Sequence, residues 1–176
     1  MISLNSYTDG IKPIHVKLKR GSSTESVHLV HAVVCDHKGR VLMKAGSHNY
    51  ETFIRSALKP FHALPFVTSG TSEIINTGNK SIALACGSHS GTTEHAREAF
   101  KILWNSEIDV EKLLCPCPKN EKSKLLHNCS GKHSAFLATC KKMNWPLENY
   151  LLGSHPLQEE IFRRVSTLLN MPPEEL

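Results

Sequence analysis

Arg55-Ser56-Ala57-Leu58-Lys59-Pro60 sets a serine and a lysine three residues apart, directly ahead of a proline. Three residues is close to one helical turn, so the two side chains can share a face. Proline is tolerated only in a first helical turn and biases the residue before it away from helical geometry, so this segment reads as a helix start. The spacing predicts a helix from Ser56 toward Val67, carrying Leu58, Phe61, Leu64 and Phe66 on its apolar side. A lysine held in a dry pocket can lose its proton and then take one from a serine hydroxyl. That pairing is the working core of several serine acyl-transfer enzymes. By itself, S-x-x-K equally describes an exposed surface pair.

Upstream of this segment the chain reads as strands. Val27 to Cys35 is apolar and β-branched, Asp36-His37-Lys38-Gly39 is turn-like, and Val41-Leu42-Met43 resumes the apolar pattern, which predicts a hairpin. Downstream, Ser81 to Cys86 reads as a short buried strand or helix edge, and Gly87-Ser88-His89-Ser90-Gly91 as a loop. Thr92 or Thr93 caps a helix running through Trp104, with Ala96, Ala99, Phe100 and Leu103 inward. Cys115 to Lys124 is a Pro- and Lys-rich loop. A further helix follows Ser130, with Ala135, Phe136, Leu137, Ala138 and Cys140 apolar, and another runs from about Pro156 to before Pro172. Asn170-Met171-Pro172-Pro173-Glu174-Glu175-Leu176 resembles the close of one helix and the opening of the next, so a chain truncated at its C-terminus is expected.

The 176 residues suit about one domain, and 40% hydrophobic with 21% charged residues is a globular composition. The net charge of +5 has no longer basic run than Lys17-Leu18-Lys19-Arg20, read as a solvated strand end, and no aromatic residues interleave with a basic stripe. Nucleic acid is therefore excluded as a partner. No apolar run approaches the roughly 20 residues that cross a bilayer, and Met1-Ile2-Ser3-Leu4-Asn5 lacks the charged start and apolar segment of a secretory signal. A cytoplasmic protein is expected, with its six cysteines as thiols or metal ligands. Cys35 and Cys86 lie in apolar runs and read as core residues.

Three loops carry chemistry: Arg55 to Pro60, Gly87 to Gly91, and Asn128-Cys129-Ser130-Gly131-Lys132-His133. Each feeds or flanks a helix start, where free N–H groups and the helix dipole favour developing negative charge. Each also has a structural explanation. Ser88 and Ser90 suit a turn, His89 a hydrogen-bonded structural histidine, and Cys129 and Lys132 a core thiol and a surface amine. Cys129 and His133, four residues apart, could share a metal. Cys115-Pro116-Cys117 is half of a zinc knuckle with the wrong spacing.

In combination these motifs are specific. Arg-Ser-Ala-Leu-Lys-Pro-Phe, Ala85 to Gly91 with Glu94-His95, His127 to His133, and His155-Pro156-Leu157-Gln158, with Arg20-Gly21 and Glu25-Ser26-Val27-His28 as an opening motif, resemble the type II L-asparaginase family of Rhizobium type. The resemblance runs from about Lys17 to the last residue and leaves residues 1–16 as an N-terminal extension. It implies an α/β fold of mixed α+β character, a sheet flanked by helices similar to the serine β-lactamase and glutaminase fold, in incomplete form. It implies hydrolysis of L-asparagine to L-aspartate and ammonia. Ser56 would be the nucleophile and Lys59 its base. Ser88 would be a second active-site serine linked to a further lysine. Cys129 and Lys132 would be two ligands of a zinc ion, and Arg55 and His133 candidates for binding the substrate. A complete domain would form a homodimer. Family members are about twice this length and carry an Asp-Gly-Cys motif with the third zinc ligand beyond the equivalent of Leu176. The expectation is therefore that these 176 residues alone are inactive and bind zinc weakly. Rival readings are a penicillin-interacting or glutaminase-like serine acyl enzyme, a metal-binding module built on Cys115, Cys117, Cys129 and His133, and a remnant without function.

Overall fold

A computed structural model describes residues 11–172, in two compact units that divide between Phe53 and Ile54. In the first unit, strand β1 (Ile14–Arg20) pairs antiparallel with β2 (Ser23–Val30), from Ile14 opposite Val30 to Arg20 opposite Ser23. Lys17 to Arg20 is indeed the end of a strand and is exposed. Ile14 to Val16 already belong to β1, so the extension expected over residues 1–16 overlaps a strand, and its first ten residues lie outside the described ones.

The run from Val27 to Cys35 is not one strand. It breaks at His31, and its second half forms β3 (Ala32–Cys35), which pairs with β4 (Val41–Ala45) in a separate two-stranded sheet. The physical reason is the side chain of His31: its Nδ1 accepts the Ser47 N–H at 2.9 Å, and its ring stacks on Tyr50 at 4.3 Å. Residue-by-residue hydrophobicity carries no trace of either contact. The expected hairpin at 36–39 is present. The Asp36 carboxylate accepts the N–H groups of Lys38 and Arg40 and binds the Arg40 guanidinium at 2.7 Å. Cys35 is exposed, so the core role read for it fails.

The second unit is helical among the described residues. The single helix expected from Ser56 to Val67 is instead a 3-10 turn (Arg55–Leu58) followed by α1 (Lys59–His62) and α2 (Leu64–Thr68). Pro60 and Pro65 each sit in a first turn, the one place where a missing N–H is harmless, and each restarts the helix. A short α3 (Thr71–Ile74) leads to α4 (Gly78–Ala85), which resolves Ser81–Cys86 as helix rather than strand. Cys86 ends that helix half-buried, packed against the core cluster of Ala63, Phe66, Ala85, Ile102, Ala135 and Ala138. Helix α5 (Thr93–Asn105) is capped by Thr92, whose hydroxyl accepts the His95 N–H while His95 Nδ1 accepts the Thr92 N–H, a capping box with histidine in the reciprocal place. Helices α6 (Ser130–Lys142) and α7 (Pro156–Leu169) begin where the sequence placed them. The acidic helix start read at the chain end falls mostly outside the described residues.

Helix α6 is the centre of this unit. It is buried on every face from His133 to Cys140, and Leu103, Leu113, Tyr150, Leu157 and Ile161 join its own Phe136 and Leu137 in one core cluster. Gly131 lets α4 approach its first turn, because a Cβ there would lie 2.5 Å from Leu84 Cγ and 2.8 Å from the Leu84 carbonyl oxygen. That close approach brings the loop after α4 and the loop before α6 together. The whole chain is thus of mixed α and β character, as expected, with antiparallel strands in its first unit and helices in its second.

Candidate active site

The three loops singled out in the sequence converge. Lys59 is 2% exposed, and its Nζ meets Ser88 Oγ at 2.7 Å, the Gly87 carbonyl at 3.1 Å and the Asn128 carbonyl at 3.3 Å. The Asn128 carbonyl also accepts the His89 N–H at 3.2 Å, which ties the second loop to the third. An ammonium needs three acceptors and has three here. An uncharged amine keeps two donors for the two carbonyls and turns its lone pair to Ser88. A proton can therefore pass between Lys59 and Ser88 without breaking the rest of the cradle.

Ser56 lies three residues before Lys59 on the 3-10 turn, exposed, and its hydroxyl makes no hydrogen bond among the described residues. The lysine partner that the structure gives Ser88 is Lys59, whereas the sequence reading assigned Lys59 to Ser56 alone and left Ser88 to a further lysine. Arg55 is exposed and has a left-handed backbone, φ 50°, which is uncommon for a side chain of its size and turns the chain sharply just before Ser56.

Beside Ser88 opens a cleft of about 600 Å³, whose charged and titratable walls include Lys80, His89, Glu94, His95 and Glu98. Lys80 and Glu94 pair across it at 3.1 Å, and the Glu98 carboxylate accepts the Ser81 hydroxyl. The Ser88 N–H is unused among the described residues and is free to meet an anion.

Cys129 is the N-cap residue of α6, half-buried, and Lys132 lies in the first turn with its amine 5.3 Å over the Phe136 ring. Burial, and then the charge of Lys59, pulls the Lys132 amine below the usual lysine range, while Cys129 and Cys115 oppose that shift. A metal binds an amine only in its uncharged form, and this shift favours that form of Lys132. No three His, Cys, Asp or Glu side chains are grouped to hold a metal among the described residues. His133 is instead a core residue. The Leu114 N–H donates to the Tyr150 hydroxyl, and that hydroxyl shares a 2.7 Å hydrogen bond with His133 Nδ1.

Sequence reasoning missed a recurrent use of histidine. His89 Nδ1 accepts the Gly91 N–H, His127 Nδ1 the Cys129 N–H, and His155 Nδ1 the Leu157 N–H, each closing a turn two residues on, as an aspartate does. A His two residues ahead of a loop glycine or a helix start was the available signal.

One buried imidazole, His133, and two half-buried ones, His62 and His89, give the unit a pH dependence. Burial, then Lys132 and Lys59, pushes His62 down to about 4. Burial, then His95, Lys59 and His127, does the same to His89. Burial, then Lys132, His127 and Lys59, takes His133 to about 3. Each is neutral in the fold and regains its ordinary value near 6.5 when unfolded. The unfolded chain therefore binds more protons between pH 6.5 and these lower values. Stability is full above about pH 6.5 and falls as the pH drops. Urea midpoints are expected to fall steadily from pH 7 to 4.5, with His133 alone contributing about 1.4 kcal/mol per pH unit. A flat midpoint over that range would contradict the neutral assignment.

A hydroxyl against a buried lysine amine, beside a cleft and next to helix starts, is the equipment of serine hydrolases that use lysine as the base. The family is narrower than that class. The family model described as L-asparaginase II matches residues 16–176, and the chain belongs to that family. A search of curated proteins finds no match. No helix among the described residues is long and apolar enough to cross a membrane.

Proposed function

We propose that this protein is built to hydrolyse the side-chain amide of L-asparagine in the cytoplasm through a shared lysine, with serine activation and substrate binding present in these 176 residues and full turnover lacking in them alone. Ser56 attacks the amide carbon, and Lys59 takes its proton. Ser88, bonded to Lys59, passes a proton to the departing ammonia, and the Ser88 N–H faces the developing oxyanion. One observation carries this reading: the 2.7 Å contact between Lys59 Nζ and Ser88 Oγ, with two carbonyls already holding the amine. The left-handed Arg55 supports it, since backbone strain next to an exposed serine is a common way to present a nucleophile. The cleft beside Ser88 takes the substrate, and Arg55, exposed next to Ser56 and outside the cleft's lining, is a candidate for one of its charged ends. Zinc would be held by Cys129 and Lys132 and would supply Lewis acidity beside the substrate.

The test uses a fluorophosphonate, which phosphonylates activated serines with loss of fluoride. Millimolar L-asparagine is expected to slow labelling of the 176-residue chain, and L-lysine to leave it unchanged. Labelling that ignores L-asparagine, or that both amino acids slow equally, would overturn the substrate assignment.

A further inference from the structure

Lys59 depends on two carbonyls that belong to different loops, Gly87 in one and Asn128 in the other. Something must hold those loops in register, and the side chain placed to do so is His89. Its Nδ1 accepts the Gly91 N–H at 3.2 Å, which fixes that nitrogen as an acceptor. The proton of a neutral ring is then on Nε2, which donates to Ser130 Oγ at 3.0 Å. Ser130 Oγ in turn donates to the Leu125 carbonyl at 2.7 Å. The chain of donors therefore runs one way: Gly91 N–H to His89, His89 to Ser130, Ser130 to Leu125. It joins the 87–91 loop to the first residue of α6, which is fully buried. The backbone N–H of His89 adds a second tie, to the same Asn128 carbonyl that receives Lys59.

We infer that His89 is a positioning residue, a neutral clamp that aligns the Gly87 and Asn128 carbonyls around Lys59 and so sets the direction of its amine toward Ser88. The inference rests on the reading of Lys59 as the amine of the site. His89 touches neither Lys59 nor the reacting hydroxyl; it acts through the two loops. Burial and the neighbouring His95, Lys59 and His127 disfavour its imidazolium, which agrees with a ring that must keep one acceptor nitrogen. A misplacement of about 1 Å in such a site can cost about 100-fold in rate.

Three variants separate the two halves of the clamp. His89→Leu removes both bonds. His89→Asn keeps an acceptor where Nδ1 stands, and His89→Gln keeps a donor where Nε2 stands. With the fluorophosphonate as probe, His89→Leu is expected to label about 100-fold more slowly than the parent, and His89→Gln or His89→Asn to recover at least about tenfold of that loss. The nitrogen-15 spectrum of the unsubstituted protein at pH 7 is expected to place the His89 proton on Nε2. This last readout needs no variant to fold. Labelling of His89→Leu at the parent rate, or a proton on Nδ1, would overturn the clamp. The outcome for Lys59→Met keeps this separate from the reading beneath it. If Lys59→Met loses labelling while His89→Leu does not, only the clamp is wrong. If Lys59→Met labels normally, the amine reading itself is wrong.

Discussion

Lys59→Met is expected to slow labelling of the serine by the fluorophosphonate by about 10²–10⁴-fold, the range that removal of a positioned base commonly gives. Methionine nearly matches the lysine stem in volume, so the packing around a side chain that is 2% exposed is kept. Only the donor to Ser88, Gly87 and Asn128 is lost. Asn128 is exposed and Gly87 half-buried, so water can reach both carbonyls, and the urea midpoint is expected to change little. Labelling kinetics followed by intact-mass measurement, beside urea denaturation, check both halves. A variant that folds and labels at the parent rate would show that the amine has no part in activating the serine.

The second large effect is structural. Gly91 has φ +69°, and a Cβ there would run into the backbone carbonyl of Leu126. Gly91→Ala combines the left-handed strain of an alanine, about 1–2 kcal/mol, with an overlap that no side-chain rotation can relieve, about 1–3 kcal/mol. Urea denaturation is expected to show a loss of about 2–5 kcal/mol, together with loss of labelling as the 87–91 loop leaves the 125–130 segment. Gly78 is the control. Its φ is +74° with nothing within 4 Å of a Cβ, so Gly78→Ala should carry the strain alone. Equal losses for the two variants would mean that the loop yields and the Leu126 contact is soft.

Much of the helical unit was legible in the sequence because its signals are local. Thr92 ahead of an apolar period, Pro156 after His155, and the apolar run from Ala135 to Cys140 each fix an element by capping or periodicity alone. The 56–67 segment was less so, because two prolines spaced five apart restart the helix twice, and each alone reads as a single start. The strand break at His31 was not legible at all, since the contacts with Ser47 and Tyr50 that turn the chain are long-range. In the site, the sequence identified the loops by motif and the structure brings them together. It could not say that Lys59 reaches Ser88, because that contact depends on how closely α4 approaches α6, and Gly131 sets that distance. Nor could it distinguish His133 as a surface ligand from His133 as a core residue. The difference is the Tyr150 hydroxyl, seventeen residues away.

The proposed chemistry centres on the Lys59 amine, which bonds Ser88 and is assigned as the base for Ser56. Its most direct test is to map the fluorophosphonate adduct by peptide mass spectrometry in the parent chain, in Lys59→Met and in Ser88→Ala. The account predicts an adduct on Ser56 in the parent, almost none in Lys59→Met, and a reduced rate in Ser88→Ala. An adduct on a serine outside the Arg55–Pro60 segment, or one on Ser56 that forms equally fast without the Lys59 amine, would contradict it.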